Sequence, residues 1–446
     1  MSDHPDQHPR HVDVAVLGAG SAGETLVAGL SGSGLDVVVF EPHRVGGECP
    51  FVACMPSKAM LHDAAVGRSW HDAVRRRSDV VENLDDDVHA AEIEANGATL
   101  VRSAAHLTGP GRLTDGEHDY AADHVVIATG ASVQFPPIDG LDELGDRCWT
   151  SDDAMLTEER PARLTIIGGG VIGCEMATLF GRFGTEVHLL DAAPLAFADL
   201  PRPIGEIVDD SLSANGVRVR RGVDIEHVEV RGAGVRIRLA SGASVDTDRV
   251  LVATGVRPNT RDLGLECLGI DPEEQLPIDP NGRLRAEGSV WAIGDVAGLG
   301  AYTHLANHQA RVVAAELTGH GPRRFDEVTT PACVFTDPPI VTIGPVPSAL
   351  GDDVVWAEAR ITEIPRSTTD QLTNGYLTIA VTRDSGVIVA AHGAGAGFDI
   401  LAAALVTAID GQLPVARLAR SMYPFPTVGE LLGLVYSRAA ASLSAT

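Results

Sequence analysis

The chain has 446 residues, 44% of them hydrophobic and 21% charged, which is enough for packed cores in about three domains. Its formal net charge of −27 disfavours nucleic acids and anionic membranes as partners, and no apolar run approaches the ~20 residues of a spanning helix. Six cysteines are too few for a disulfide scaffold, and residues 1–11 do not resemble an export signal, so we expect a reducing cytoplasmic location, where a disulfide is more often catalytic than structural.

The start of the chain predicts a βαβ unit. Residues 1–11 are polar and rich in His and Pro, and we expect them to be a disordered tail. An apolar strand, Val12–Leu17, then runs directly into the turn Gly18–Gly23. A helical stretch follows, and then a second strand that ends in Glu41. Strand, glycine turn, helix and strand in this order are typical of a dinucleotide-binding fold.

The same order recurs further along the chain. An apolar strand from Leu164 runs into Gly168–Gly173, and the strand after the next helix ends in Asp191. The acid stands 23 residues after the first glycine in both copies, from 18 to 41 and from 168 to 191. Each copy closes on a buried strand and a small-residue turn, ending at Gly130 and Gly255. This duplication predicts two doubly wound α/β folds that each bind a nucleotide.

The rest of the chain carries no third glycine turn of this kind. Polar, β-rich stretches precede both closing strands, and we interpret residues 99–120 and 217–245 as insertions. A further strand begins at Val290 and ends in Gly294-Asp295. We interpret Arg323–Glu327 as a linker to a last region in which strands alternate with helices.

The acid at the end of each second strand is a candidate acceptor for a ribose 2′-hydroxyl. Asp191 would repel a 2′-phosphate, and residues 192–198 contain no arginine to bind one, so the pattern favours NADH over NADPH. NADPH stays open as the alternative donor, because Arg218, Arg220 or Arg221 could fold back toward this acid and bind a 2′-phosphate.

The most distinctive local motif is a cysteine pair, Cys49 and Cys54, next to the only lysine of the chain, Lys58. A disulfide needs Cα atoms about 4.4–6.8 Å apart, which this spacing allows if the pair straddles an irregular first helical turn. A thiol at a helix N-terminus has a lowered pKa, since the exposed N–H groups stabilise its anion. The alternative is two unrelated buried thiols.

This motif, Gly-Gly-x-Cys-x4-Cys-x-Pro-Ser-Lys at Gly46–Lys58, closely resembles that of the flavin disulfide reductases, which include glutathione reductase, mercuric reductase and dihydrolipoamide dehydrogenase. The resemblance extends from Val12 to about Ser437. It implies a homodimer whose subunit has two doubly wound, Rossmann-like α/β domains and an α+β C-terminal dimerisation domain. The implied regions are an FAD-binding domain at 12–148, an NAD(P)-binding domain at 149–258, a central domain at 259–325 and an interface domain at 326–446.

The resemblance also implies FAD and a nicotinamide dinucleotide as cofactors. The implied cofactor-binding residues are Gly18, Gly20, Ser21, Ala22, Gly23, Glu41, Gly47, Glu48, Lys58, Ala105, Ala128, Thr129, Gly130, Gly168, Gly170, Val171, Ile172, Gly173, Asp191, Gly255, Asp295 and Thr303.

The implied catalytic residues are Cys49, Cys54, Lys58, Glu175 and Glu430. Cys54 would form the thiolate that lies against the flavin, and Cys49 would exchange with the substrate. Lys58 would pair with Glu175 and place its positive charge near flavin N5. A positive charge at this position stabilises the reduced, anionic flavin electrostatically. The histidines show no metal-ligand spacing beyond His304 and His308, which we interpret as one helix face, so we predict no metal site.

One position departs from the family. Disulfide-reducing members carry His-Pro-Thr-x-x-Glu near the C-terminus, where the partner subunit's histidine serves the exchange thiol and the glutamate orients it. Here Phe425 precedes Pro426-Thr427 and Glu430, and a phenyl ring moves no proton. Glu48 is a second departure, because a carboxylate beside Cys49 would raise the pKa of that thiol unless it is solvated.

The sequence therefore predicts an FAD-dependent NAD(P)H oxidoreductase that resembles dihydrolipoamide dehydrogenase and uses a Cys49–Cys54 disulfide. Three explanations of Phe425 stay open. In the first, the electron acceptor is a quinone, metal ion, dye, oxygen or low-pKa disulfide whose reduction needs no proton relay. In the second, Tyr423, His304 or His308 substitutes for the histidine. In the third, the chain is a non-catalytic protein that binds flavin and acts as a partner. Mercury itself is disfavoured, because mercuric reductase uses a C-terminal cysteine pair and the last cysteine here is Cys333.

Overall fold

The computed structural model describes residues 9–321 and 324–444. Within them the strands are β1 (Arg10–Leu17), β2 (Val37–Phe40), β3 (Thr99–Val101), β4 (His106–Gly109), β5 (Arg112–Thr114), β6 (Asp119–Ile127), β7 (Ala131–Val133), β8 (Cys148–Trp149), β9 (Arg163–Ile167), β10 (Glu186–Asp191), β11 (Arg218–Arg221), β12 (Ile225–Arg231), β13 (Gly234–Leu239), β14 (Ser244–Thr247), β15 (Arg249–Val252), β16 (Val256–Pro258), β17 (Val290–Ala292), β18 (Pro331–Val334), β19 (Ile340–Ile343), β20 (Val354–Arg360), β21 (Gly375–Thr382) and β22 (Ile388–Gly395). The α-helices are α1 (Ser21–Leu30), α2 (Glu48–Phe51), α3 (Cys54–Ala65), α4 (Trp70–Val80), α5 (Asp87–Ala95), α6 (Ser151–Leu156), α7 (Val171–Arg182), α8 (Arg202–Ala214), α9 (Thr303–Leu317), α10 (Arg366–Thr369), α11 (Phe398–Asp410), α12 (Val415–Leu418) and α13 (Glu430–Ser444).

The chain divides into two compact units. The first unit consists of Met1–Ala59, Arg75–Gln134 and Val256–Glu327, and the second of Met60–Val74, Phe135–Gly255 and Val328–Thr446. Each is described by itself below. The bounds of the four predicted domains stay predictions.

The predicted disordered tail does not extend to residue 11. β1 begins at Arg10, because Arg10 and His11 pair in register with Tyr120 and Ala121 of β6. The rest of the predicted tail, residues 1–8, lies outside the described residues, as does Arg323 of the predicted linker. Residues 325–327 of that linker form a short 3₁₀ helix.

The first unit is built on a sheet whose parallel strands run in the order β3-β2-β1-β6-β17. The beginning of β6 also pairs antiparallel with β5, and β5 with β4. Thr99–Val101 is therefore the third strand of the main sheet and not part of an insertion. Leu17 is in register with both Phe40 and Ile127, so the segments that follow β1, β2 and β6 meet at one edge.

Helices α1 and α9 cover one face of this sheet. They approach closely where a Cβ on Gly29 would lie 2.7 Å from Cβ of Ala314. Leu26 and Val27 of α1 and Val313 of α9 are buried in the same apolar cluster as Val14, Val16, Val37 and Val39 of the sheet. Each such side chain contributes about 1.5–3 kcal/mol on burial.

The second unit contains a parallel sheet in the order β11-β10-β9-β15-β8. Ile167 is in register with Leu190 and Val252, so the ends of β9, β10 and β15 also meet at one edge. Arg218–Arg221 is an edge strand of this sheet, as Thr99–Val101 is of the first. The remainder of the predicted insertion forms the antiparallel sheet β12-β13-β14.

The same unit contains an antiparallel sheet in the order β18-β19-β22-β21-β20. Its apolar face packs with Leu401 and Leu405 of α11 and Val435 of α13 in one buried cluster. This α+β region after two parallel sheets confirms the predicted fold class. Among the described residues, no helix combines the length and apolar character needed to cross a bilayer.

Candidate active site

The turn after β1 requires glycine at two positions. Gly18 has φ +106°, and a Cβ there would lie 2.4 Å from the carbonyl oxygen of Ala128. A Cβ on Gly23 would lie 2.2 Å from the carbonyl oxygen of Gly18. Helix α1 follows with Gly20 as its N-cap and no side-chain cap, so its first N–H groups face a cradle suited to a pyrophosphate.

The turn after β9 repeats this geometry in the second unit. Gly168 has φ +102°, and a Cβ there would lie 2.4 Å from the carbonyl oxygen of Ala253. A Cβ on Gly173 would lie 1.9 Å from the carbonyl oxygen of Gly168, and α7 has Gly170 as its N-cap without a side-chain cap. Gly255 ends the neighbouring strand in the way that Gly130 ends β6. The internal duplication is therefore present in three dimensions.

The acid of the first copy is tied to the glycine turn. Glu41 is 8% exposed, and its carboxylate accepts hydrogen bonds from the backbone N–H of Ala19 at 2.9 Å and of His43 at 2.8 Å. These bonds fix the carboxylate at the sheet edge, where it keeps acceptor capacity for a ribose hydroxyl.

The acid of the second copy has a partner that the sequence left open. Arg221, at the end of β11, forms an ion pair with Asp191 and donates to the carbonyl oxygen of Gly169 at 3.2 Å. The same guanidinium binds Asp209 of α8 at 2.8 Å, and its side chain is only 8% exposed. Asp209 belongs to no motif that the sequence analysis identified, and only the fold brings it to this site.

The cysteine segment begins against the first glycine turn. The N–H of Gly46 donates to the carbonyl oxygen of Ala19 at 2.8 Å, and a Cβ on Gly47 would lie 2.9 Å from Cα of Gly20. Cys49 lies in α2, and Cys54 begins α3 after a break in the helix. This is the irregular helical turn that a disulfide at this spacing requires.

The two thiols lie within hydrogen-bonding distance of each other. Cys49 and Cys54 are both partly buried, and neither is in a disulfide in this structure. The hydrogen bond to Cys54, followed by burial, raises the pKa of Cys49. Thr303, the first residue of α9, donates from Oγ1 to Cys49 Sγ at 3.2 Å, and its Oγ1 lies 3.5 Å from Cys54 Sγ.

A partly buried carboxylate lies after β17 at the same sheet edge. Burial, followed by the charge of Cys54, raises the pKa of Asp295 to about 6. The preceding Gly294 donates its N–H to Gln309 Oε1 at 2.7 Å. A cradle that side chains would fill, together with this carboxylate after another strand of the same sheet, fits FAD.

Two predicted residues belong to different units. Lys58 is in the first unit and Glu175 in the second, so their pairing stays a prediction. Glu175 is 4% exposed and accepts a hydrogen bond from the N–H of Phe335 at 2.9 Å. Glu48 is exposed at the start of α2.

The C-terminal motif begins with a phenylalanine where the disulfide-reducing relatives have histidine. Phe425 is 73% exposed, and Glu430 accepts a hydrogen bond from the N–H of Thr427 at 3.2 Å. Burial raises the pKa of Tyr423, so near neutral pH even less of it is in the phenolate form that could accept a proton than in a free tyrosine.

Comparison with known proteins covers nearly the whole chain. Residues 12–319 match the family described as pyridine nucleotide-disulphide oxidoreductase, and residues 330–435 match its dimerisation domain. A mercuric reductase of Shigella flexneri is 30% identical over 94% of this chain and 79% of its own length. A dihydrolipoyl dehydrogenase of Geobacillus stearothermophilus is 28% identical over 94% of both chains.

Solved structures agree with these relatives. The HOCl-induced flavoprotein disulfide reductase of Escherichia coli, also solved as a Cu(II) complex, has a TM-score of 0.86 at 26% identity, covering 95% of this chain and 99% of its own. The C-terminal region is thus a dimerisation domain, which supports a homodimer. The chain belongs to the pyridine nucleotide-disulphide oxidoreductase family and is an FAD-dependent enzyme that transfers electrons between NAD(P)H and a disulfide.

Proposed function

We propose that Cys49 and Cys54 form the redox-active disulfide of this enzyme and that NADH is its electron donor. The observation that carries the proposal is the contact between the two thiols at the break between α2 and α3, directly behind the first glycine turn. The chemistry that FAD supplies when bound is the transfer of two electrons between a nicotinamide and a disulfide.

In the proposed enzyme, residues of this chain bind the two cofactors and place charge near the reacting groups. The two glycine turns bind pyrophosphate groups at the N-termini of α1 and α7. Glu41 and Asp191 accept hydrogen bonds from ribose hydroxyls, and Asp295 does so from the flavin side chain. Lys58, held by Glu175, supplies positive charge where negative charge develops.

Counting electrons tests the cysteine pair. Anaerobic titration of the FAD-loaded enzyme with dithionite should consume about twice the reducing equivalents needed by Cys54→Ser, because the disulfide is a second two-electron acceptor. Cys267→Ser is the matched control, since Cys267 is an exposed, unrelated cysteine, and it should titrate like the parent. Equal consumption by the parent and Cys54→Ser would contradict the proposal.

The charges around Asp191 support NADH as the donor. One guanidinium, that of Arg221, faces the two carboxylates of Asp191 and Asp209, which leaves a net charge of about −1. This negative charge opposes a 2′-phosphate, whereas a ribose 2′-hydroxyl can still donate to Asp191.

Two further properties belong to the proposal. The low cysteine count supports a reducing cytoplasmic location. The dimerisation domain supports the proposal that the C-terminal motif, from Phe425 to Glu430, lies in the partner subunit's active site, as it does in the family members that use histidine.

A second candidate concerns the acceptor. The exposed ring of Phe425 favours an acceptor that needs no proton relay, such as a quinone or a metal ion, over a dithiol substrate like lipoamide. The Cu(II) complex of the E. coli relative and the mercuric reductases among the relatives make a thiophilic metal ion a reasonable acceptor to assay.

Restoring the imidazole separates these acceptors. Phe425→His should raise dihydrolipoamide turnover by about 10²-fold or more, because general acid–base catalysis is worth about that much, and should change quinone reduction less than about twofold. Phe135→His is the matched control, since Phe135 is an exposed phenylalanine outside this motif. High lipoamide turnover by the parent enzyme would overturn this interpretation of Phe425.

A further inference from the structure

A hydroxyl group reaches both sulfurs of the cysteine pair. Oγ1 of Thr303 donates to Cys49 Sγ at 3.2 Å and lies 3.5 Å from Cys54 Sγ. Thr303 begins α9, and α9 is anchored on α1 through the close approach of Ala314 to Gly29. A side chain on so well packed a helix holds a fixed position relative to the sulfurs.

We propose that Thr303 is a catalytic residue that stabilises the Cys49 thiolate through its hydroxyl and so performs part of the work of the missing imidazole. Ionisation breaks the S–H bond of Cys49, gives the proton to water and leaves the electron pair on sulfur, so nothing is oxidised or reduced in this step. The hydroxyl hydrogen is free to rotate, and it can turn to whichever sulfur carries the charge.

The electrostatics of the pair explain why such a donor is needed. The hydrogen bond to Cys54 and the burial of Cys49 both raise the pKa of this thiol. The hydrogen bond from Thr303 is the largest opposing effect, and the positive charge of Lys58 acts in the same direction. The carboxyl group of Asp295 interacts with the second thiol, because the charge of Cys54 adds to burial in raising the pKa of Asp295.

Alkylation kinetics test the role directly. The FAD-loaded enzyme is reduced and treated with iodoacetamide between about pH 5 and pH 10, and the rate at Cys49 is followed by peptide mass spectrometry. We expect Thr303→Val to raise the midpoint of this pH profile by about one unit, which is about a tenfold slower reaction near neutral pH. Thr303→Ser keeps the hydroxyl and should restore the parent profile.

Two further variants keep the test decisive. Thr303→Ala, which introduces no new bulk, replaces Thr303→Val if that protein lacks bound FAD. Thr318→Val removes a hydroxyl at the other end of α9 and should leave the profile unchanged, since Thr318 donates to the backbone of Ala314. An unchanged midpoint in both Thr303→Val and Thr303→Ala, or an equal shift in Thr303→Ser, would overturn the proposal.

The proposed role of Thr303 rests on the proposed exchange role of Cys49, but different measurements would contradict each of the two proposals. Failure of the cysteine pair appears as an unchanged electron count in Cys54→Ser. Failure of the Thr303 role appears as an unchanged alkylation profile in an enzyme whose electron count is normal.

Discussion

At the residue scale, Arg221 changes what Asp191 contributes to nucleotide selection. An acid alone at the end of β10 would carry a full negative charge, but the guanidinium binds Asp191 and Asp209 together. Charges this close to one another and partly buried interact more strongly than exposed pairs. The proposed preference for NADH therefore depends on three side chains and not on one.

Removing the second carboxylate should weaken that preference. In Asp209→Asn the remaining Asp191–Arg221 pair is neutral, and we expect the ratio of kcat/KM for NADH over NADPH to fall about tenfold. Asp210→Asn is the matched control on the exposed side of α8 and should keep the parent ratio. Steady-state kinetics with both dinucleotides measure the effect, and an unchanged ratio in Asp209→Asn would refute this account.

At the scale of the elements, the C-terminal sheet contains one fully buried imidazole. His392 of β22 is 0% exposed and contacts Thr342 of β19 through Nδ1 at 2.7 Å and the carbonyl oxygen of Pro345 through Nε2 at 3.1 Å. Because a carbonyl only accepts, Nε2 carries the proton and Nδ1 accepts from the Thr342 hydroxyl. The ring of Trp356 stacks on this imidazole at 6.2 Å.

This histidine should make the sheet sensitive to mild acid. Burial lowers the pKa of His392 in the folded protein, so the unfolded chain binds the proton more readily. The stability is fully present above the unfolded pKa of about 6.5 and is lost as pH falls through that value toward the folded pKa.

We expect the thermal midpoint of the parent to fall more between about pH 7.5 and pH 5.5 than that of His392→Gln, which has no titrating ring. His106→Gln, at an exposed histidine of β4, should behave like the parent. Equal falls in the parent and His392→Gln would exclude His392 as the cause.

At the scale of the whole molecule, the formal charge of −27 acts on every anionic ligand that approaches. NADH is itself an anion, so the long-range field slows its association at low ionic strength. Salt screens this field, whose range is about 10 Å at 0.1 M.

Raising the ionic strength from about 0.02 M to about 0.2 M should therefore lower the KM for NADH about twofold or more. The KM for an uncharged quinone should stay constant over the same range. A KM for NADH that rises with salt would show instead that local positive charge dominates its binding.

Much of this protein was predictable because its chemistry depends on local spacing. The turns at Gly18–Gly23 and Gly168–Gly173 need glycine for backbone reasons that neighbouring residues decide, so the sequence predicts them. The Cys49–Cys54 motif is likewise local, since five residues of chain limit the distance between the sulfurs. At Thr99–Val101 and Arg218–Arg221 the sequence pattern predicts insertions but the structure has strands of the parallel sheets, because their parallel partners lie far away in sequence.

The sequence by itself determined the family, the paired nucleotide turns, the cysteine pair and the loss of the histidine at Phe425. Only the tertiary structure decided which distant side chains meet these motifs. Arg221 joins Asp191 from a neighbouring strand, and Thr303 reaches the sulfurs from α9, about 250 residues away along the chain. Such contacts arise from sheet order and helix packing, which bring together residues that no spacing in the sequence relates.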